Sequence, residues 1–110
     1  MRQSKHPLVE QDLIGIIEHI VEVTHGDLEA ALRRLDEVDA LLREIAEAPT
    51  SGMRLSGPLD GWLVRHGGRG NRLTIVFRLD ARRDCLLVAL VAFGGQDWMG
   101  IGSDRAGTEF

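Results

Sequence analysis

The stretch Arg72 to Phe93 constrains the fold of this chain more than any other. From Arg72 to Asp80 apolar and polar residues nearly alternate. Leu73, Ile75, Phe77 and Leu79 fall on one face, and Arg72, Thr74, Arg78 and Asp80 on the other, with Val76 among them. That two-residue period is the mark of a half-buried strand. Ala81 to Asp84 is a polar break of hairpin length, and Cys85 to Phe93 then runs apolar without interruption. A strand covered on both faces reads this way. The stretch therefore predicts a β-hairpin whose second strand lies deep in a sheet.

The N-terminal half supplies the surface that packs on it. Met1 to His6 is short and polar and reads as an edge strand. Pro7 suits the first turn of a helix. Val9, Leu13, Ile16, Ile17 and Ile20 then recur at helical spacing, with Asp12, Glu18 and Glu22 away from the stripe. This helix is expected to end near Thr24-His25-Gly26, where the glycine permits the terminating turn. Asp27 is placed to cap a second helix, whose buried face is expected to carry Leu28, Ala31, Leu32, Leu35, Val38, Leu42, Ile45 and Ala46. Glu29–Arg33 and Asp39–Arg43 have the i,i+4 spacing and order of favourable ion pairs. Pro49 and Gly52 stop the helix. Two such helices joined by so short a turn form an antiparallel hairpin that needs a sheet to cover.

Between the helices and the β-hairpin, Thr50 to Gly61 reads as a loop, Trp62 to His66 as a strand, and Gly67 to Asn71 as a flexible hairpin turn. If Val64 shares the core face with Leu73 and Ile75, Trp62 joins them. Arg65 then falls on the opposite face with Arg72, Thr74 and Arg78, a grouping that a one-residue slip of register would undo. Gly94 to Met99 reads as a turn or strand end. Trp98 either packs back on the sheet or anchors a partner.

A chain of 110 residues, 44% hydrophobic and 27% charged, fits one globular domain. The expectation is a domain over residues 1–99. The tail 100–110 has too few apolar anchors to assign structure, and reads as disordered or, at Gly107 to Phe110, as a cloning remnant. The longest apolar run is too short to cross a bilayer, and the N-terminus shows no secretory h-region. The single cysteine, Cys85, fits a reducing cytoplasm and reads as a small buried hydrophobe. His6, His19, His25 and His66 lack metal-ligand spacing, and Gly67-Gly68-Arg69-Gly70 lacks the context of a phosphate loop. No cofactor or metal is expected.

The net charge of −4 conceals an asymmetry. Residues 1–50 hold 5 basic against 11 acidic side chains, whereas Arg54 to Arg83 holds seven arginines against Asp60 and Asp80. The local field, rather than the total, decides which partners approach that segment. Arginine-rich surface is either solvated sheet or a face for an anion or an acidic partner.

Several local patterns, in this order, resemble the RelE/ParE superfamily of bacterial toxins from type II toxin–antitoxin pairs. His6-Pro7-Leu8-Val9-Glu10-Gln11-Asp12-Leu13 resembles the opening "S-P-x-A-x-x-D-L", and Ile17-Glu18-His19-Ile20 the "I-x-x-Y-I" after it. Leu42 to Gly52 resembles the "L-A-x-x-P-x-x-G" that ends the second helix, and Asn71 to Asp80 the "Y-R-I-x-Y-R-V-D" strand. The resemblance spans roughly residues 6–98. It implies an α+β fold, a helix hairpin packed on a small three- to four-stranded antiparallel sheet.

The resemblance also implies a choice of function. ParE-like proteins, associated with plasmid stabilization, poison DNA gyrase by binding it. RelE-like proteins are ribosome-dependent mRNA endonucleases that use basic side chains and often a C-terminal tyrosine. This chain has no tyrosine; Asn71 and Phe77 replace those of the strand motif, and Phe93 and Gly94 stand where a histidine or arginine is often found. Arginines supply charge but no proton acceptor near neutral pH. The ParE-like branch is therefore favoured, with an antitoxin as cytoplasmic partner and Arg65, Arg69, Arg72, Arg78 and Trp98 as partner contacts. The alternative is a ribonuclease acting on ribosome-bound mRNA, with His66, Arg65 and Arg72 as its working group. A third reading is an inactive remnant that only binds.

Overall fold

A computed structural model of the chain describes residues 1–107. The elements are β1 (Arg2–Lys5), α1 (Val9–Val23), α2 (Leu28–Glu47), β2 (Met53–Arg54), β3 (Leu63–Gly67), β4 (Leu73–Asp80), β5 (Cys85–Phe93) and α3 (Trp98–Ala106). They form an α+β domain with one five-stranded sheet in the order β1-β5-β4-β3-β2. The sheet is larger than the expected three or four strands, and it is mixed. β1 pairs parallel to β5, Arg2 opposite Cys85, while every other pair is antiparallel. The helix hairpin between β1 and the rest is long enough to return the chain to a parallel edge.

The two helices begin and end where the sequence places them. Gly26, at φ 101°, and His25, at φ 56°, close α1, with the Gly26 N–H donating to the Val21 carbonyl at 2.8 Å. The Asp27 carboxylate accepts from the Ala30 N–H at 3.0 Å and caps α2. The buried face of α2 differs from the expected one: Ala31, Val38, Leu41, Leu42 and Ile45 are buried, whereas Leu28 and Leu32 are 57% and 52% exposed. Ala31 in the same turns is fully buried, so the first part of the helix is covered along that line while Leu28 and Leu32 stand beside it. Neither Glu29–Arg33 nor Asp39–Arg43 is an ion pair among the described residues; Arg34–Glu37 is, at 3.2 Å.

Two apolar layers sandwich the sheet. On one face Val9, Ile16, Ile20, Val38, Leu41 and Ile45 of the helices pack on Leu73, Ile75, Phe77, Leu86, Val88, Val91 and Phe93. On the other, Trp62, Val64, Val76, Leu87 and Leu90 pack with Leu59 and with Trp98, Ile101 and Ala106 of α3. All nine residues of β5 are buried, as an uninterrupted apolar strand requires. Strand β4 is also buried on both faces from Leu73 to Phe77, rather than half-buried, because α3 covers its second side. A bulge lies between Val76 and Phe77, whose partners are Leu90 and Val88, so that Ala89 is skipped. The extra residue lets Ala89 and Leu90 both serve the second layer.

Helix α3 lies in the stretch left without assigned structure. Its cap is Asp97, whose carboxylate accepts from the Gly100 N–H at 3.1 Å. Gly100 and Gly102 weaken the helical signal, since each glycine costs about 1 kcal/mol against alanine. Gly102 is needed for closeness: a Cβ there would lie 3.3 Å from methyl groups of Leu59 and Leu90. The packed chain thus continues to Ala106, past the boundary expected at residue 99. The cloning-remnant reading of the last residues falls on 108–110, outside the described residues. Among the described residues no helix is long and apolar enough to cross a membrane.

Candidate functional site

The arginines expected on one face of the sheet are divided by register. Val64 pairs with Val76 and Arg65 with Ile75. Paired residues share a face, so Arg65 lies on the helix-hairpin side with Ile75, and Trp62 and Val64 lie on the other. The slip is one residue, and it inverts the whole of β3. Arg65 is half-buried, its stem against Gly52 and its guanidinium donating to Ser51 Oγ at 3.4 Å. Arg78 lies on the opposite side, with its guanidinium carbon 4.9 Å from the centre of the Trp62 ring.

Arg72 precedes β4 rather than standing in it. Its backbone is helical, φ −82° and ψ −15°, so strand alternation does not aim its side chain. Gly68, Gly70 and Asn71 before it have φ of 72°, 70° and 55°, and this left-handed run turns the loop back toward the helices. Arg69 and Arg72 there join Arg33 and Arg34 of α2 around one cavity of about 420 Å³. Ile20, Val23, Ala30 and Phe93 give it an apolar floor. Of the four arginines only Arg34 has an acidic partner within 4 Å among the described residues. That partner, Glu37, is close in distance but not in hydrogen-bond geometry, for its Oε2 is buried without a hydrogen bond. Arg33 and Arg34 form a basic pair in an otherwise acidic half of the chain. Reading Arg33 as an i,i+4 partner of Glu29 gave no sign of its place beside this cavity.

His66 belongs to neither arginine group. It faces α3, its Nδ1 2.9 Å from Thr74 Oγ1 and its ring edge-on to Trp98 at 6.0 Å. The group His66, Arg65 and Arg72 is therefore not assembled: Arg65 is across the sheet and Arg72 lines the helix-side cavity. Arg78 shares the face of His66 but stands four residues along β4 from Thr74, or ~13 Å at the usual strand rise. Trp98 packs back on the sheet from the first turn of α3 and is half-buried.

The second concealed cluster fixes α3 in place. Arg105 donates to both Asp12 oxygens, at 2.6 and 2.8 Å, and to the Ala89 carbonyl at 3.0 Å. Asp12 Oδ2 also accepts from the Val91 N–H at 3.0 Å. Pairing with β1 stops at Val88, and these two side chains satisfy the backbone of β5 beyond it. Asp12 was expected on the solvent side of α1, since a carboxylate on a helix gives no sign of a cation near the far end of the chain. His6 is buried beside this pair, its Nδ1 accepting from the Leu8 N–H at 3.1 Å. Burial, and then the Arg105 charge, hold the His6 pKa below its ordinary value; Asp12 partly opposes them. Among the described residues no three His, Cys, Asp or Glu side chains are grouped to hold a metal ion.

With this arrangement in view, a comparison with solved structures finds the same architecture in a YoeB/ParE toxin from Agrobacterium tumefaciens. The superposition has a TM-score of 0.56 and covers 84% of this chain and 98% of that one, at 18% identity. The fold is RelE/ParE-like. At that identity the likeness carries the architecture alone. No protein-family model matches the sequence, and neither does any curated protein.

Proposed function

We propose that this chain is the toxin of a type II toxin–antitoxin pair, that it acts in the cytoplasm by binding a protein target, and that a cognate antitoxin neutralises it. The RelE/ParE-like fold, shared with the YoeB/ParE toxin from Agrobacterium tumefaciens, supports the toxin part of the reading. The observation that carries the choice of a binding mechanism is the separation of His66 from Arg65 and Arg72. Phosphodiester cleavage requires charge stabilisation and proton transfer at one phosphate, and the groups expected to supply both stand on different sides of the sheet. That separation and the motif resemblance support the ParE-like branch, with DNA gyrase as the proposed target.

The antitoxin is proposed to contact Arg65, Arg69, Arg72, Arg78 and Trp98. A partner touching all five must pass from one side of the sheet to the other, which suits an extended segment that folds as it binds. One observation favours the ribonuclease alternative. His66 is exposed, and its Nδ1 contact with Thr74 orients the ring. Purified protein tests both readings. Inhibition of gyrase supercoiling is expected, and cleavage of ribosome-bound mRNA that His66→Ala abolishes would replace it with the ribonuclease.

A further inference from the structure

We infer that the cavity lined by Arg33, Arg34, Arg69 and Arg72 is a docking site for an acidic peptide segment carrying an apolar side chain; identifying that segment as part of the antitoxin rests on the toxin reading above.

Four arginines line one concavity, and Glu37 is the single acidic side chain paired with any of them among the described residues. Like charges gathered without compensation repel, and an anion between them removes the repulsion. Guanidinium forks match carboxylates in geometry as well as charge. The loop that brings Arg69 and Arg72 here has left-handed backbone at Gly68, Gly70 and Asn71, so the fold itself sets the Cα positions from which two of the four arginines reach the cavity.

The floor selects the kind of anion. Ile20, Val23 and Ala30 are aliphatic, and Phe93 is only 8% exposed, so it offers little ring face. Nucleic acid seeks exposed aromatic rings for its bases and a continuous basic track for its phosphates. Here the basic patch is local, in a molecule of net charge −4 whose helices are acidic. A long polyanion meets that repulsion, whereas a short peptide meets only the patch. A cavity of about 420 Å³ lies within the range of sites that hold a few side chains. Carboxylates at the rim and a leucine-sized group on the floor satisfy both halves of the lining.

The test is a titration of the full chain with a capped peptide alternating leucine and glutamate. Saturable binding that weakens about tenfold or more in Arg33→Glu and in Arg72→Glu is expected, with Arg33→Gln and Arg72→Gln intermediate. Both residues are exposed, and thermal melts of the variants confirm folding. Arg82→Glu, an equal change of charge in the β4–β5 turn, is expected to leave binding within about twofold. A peptide of glutamate alone is expected to bind more weakly. Equal weakening by Arg82→Glu, no weakening by the pocket variants, or tighter binding of a single-stranded oligonucleotide at the same residues overturns the inference. Growth arrest is a separate readout: arrest by a chain whose cavity fails to bind the peptide sinks the cavity alone, and peptide binding by a chain that never arrests growth sinks the toxin reading alone.

Discussion

Arg105 and Asp12, 93 residues apart in sequence, meet at 2.6 Å around the edge of β5. Asp12 comes from the helix on one face of the sheet and Arg105 from the helix on the other, so the pair closes the two layers over the strand between them. It also holds the carbonyl of Ala89, the residue that the β-bulge leaves out of register. Removing one member of a buried pair leaves the other uncompensated, so Arg105→Ala is expected to cost about 3 kcal/mol. Asp12→Asn is expected to cost nearly as much, and the double variant less than the sum. Urea unfolding measures all three, and a loss below about 0.5 kcal/mol would class the pair with ordinary surface bridges.

His6 makes the same region sensitive to acid. Its pKa is lowered in the folded chain, so the unfolded chain binds the proton more readily. The contribution is present above the ordinary histidine value of 6.5 and is lost as the pH falls below it, through the lowered folded pKa. Protonation would also oppose the hydrogen bond that Nδ1 accepts from the Leu8 N–H. Melting temperature is expected to fall between pH 7 and pH 5, and His6→Asn to flatten that part of the profile. An unchanged slope in the variant would move the effect to another group.

Gly68 joins the fold to the arginine cavity. Its φ of 72° and ψ of −174° belong to a region open essentially to glycine. A Cβ there would lie 2.9 Å from Leu73 Cδ1 and 3.1 Å from Glu37 Oε2. Gly68→Ala is expected to cost ~1–3 kcal/mol and to weaken peptide binding by displacing Arg69 and Arg72. Wild-type stability with wild-type binding would show that the loop needs no such backbone.

Much of the fold was legible because its signals are local. The alternation of Leu73, Ile75 and Phe77, the unbroken run of β5 and the Asp27 cap each need only a few residues to declare themselves. The register of β3 was not legible: nothing in Trp62 to His66 distinguishes its two faces once α3 is unseen, and α3 was hidden by Gly100 and Gly102. With that face uncovered, Arg65 fell with Arg78 instead of across from it. In the candidate site, Arg69 and Arg72 were visible as an arginine-rich turn, but Arg33 and Arg34 lie a whole domain half away in sequence. The Asp12–Arg105 pair depends on the same kind of distance.

The inner face of α2 gives a contrast that tests the corrected pattern. Leu41 is buried and its methyl groups fill the space a Gly67 side chain would need; Leu41→Ala is expected to cost about 2–4 kcal/mol. Leu32 is exposed, and Leu32→Gln is expected to change stability by no more than about 0.5 kcal/mol. Chemical denaturation of the two variants side by side would contradict the arrangement if Leu32→Gln were the more damaging.

On the proposed reading, this RelE/ParE-like fold harms the cell that makes it unless a partner covers it. Growth of bacteria expressing the chain alone, and together with the product of a short open reading frame beside its gene, measures this directly. Arrest by the chain alone and relief by the acidic partner are predicted. Undisturbed growth at confirmed soluble levels would overturn the toxin reading and leave the chain a binding module without toxicity.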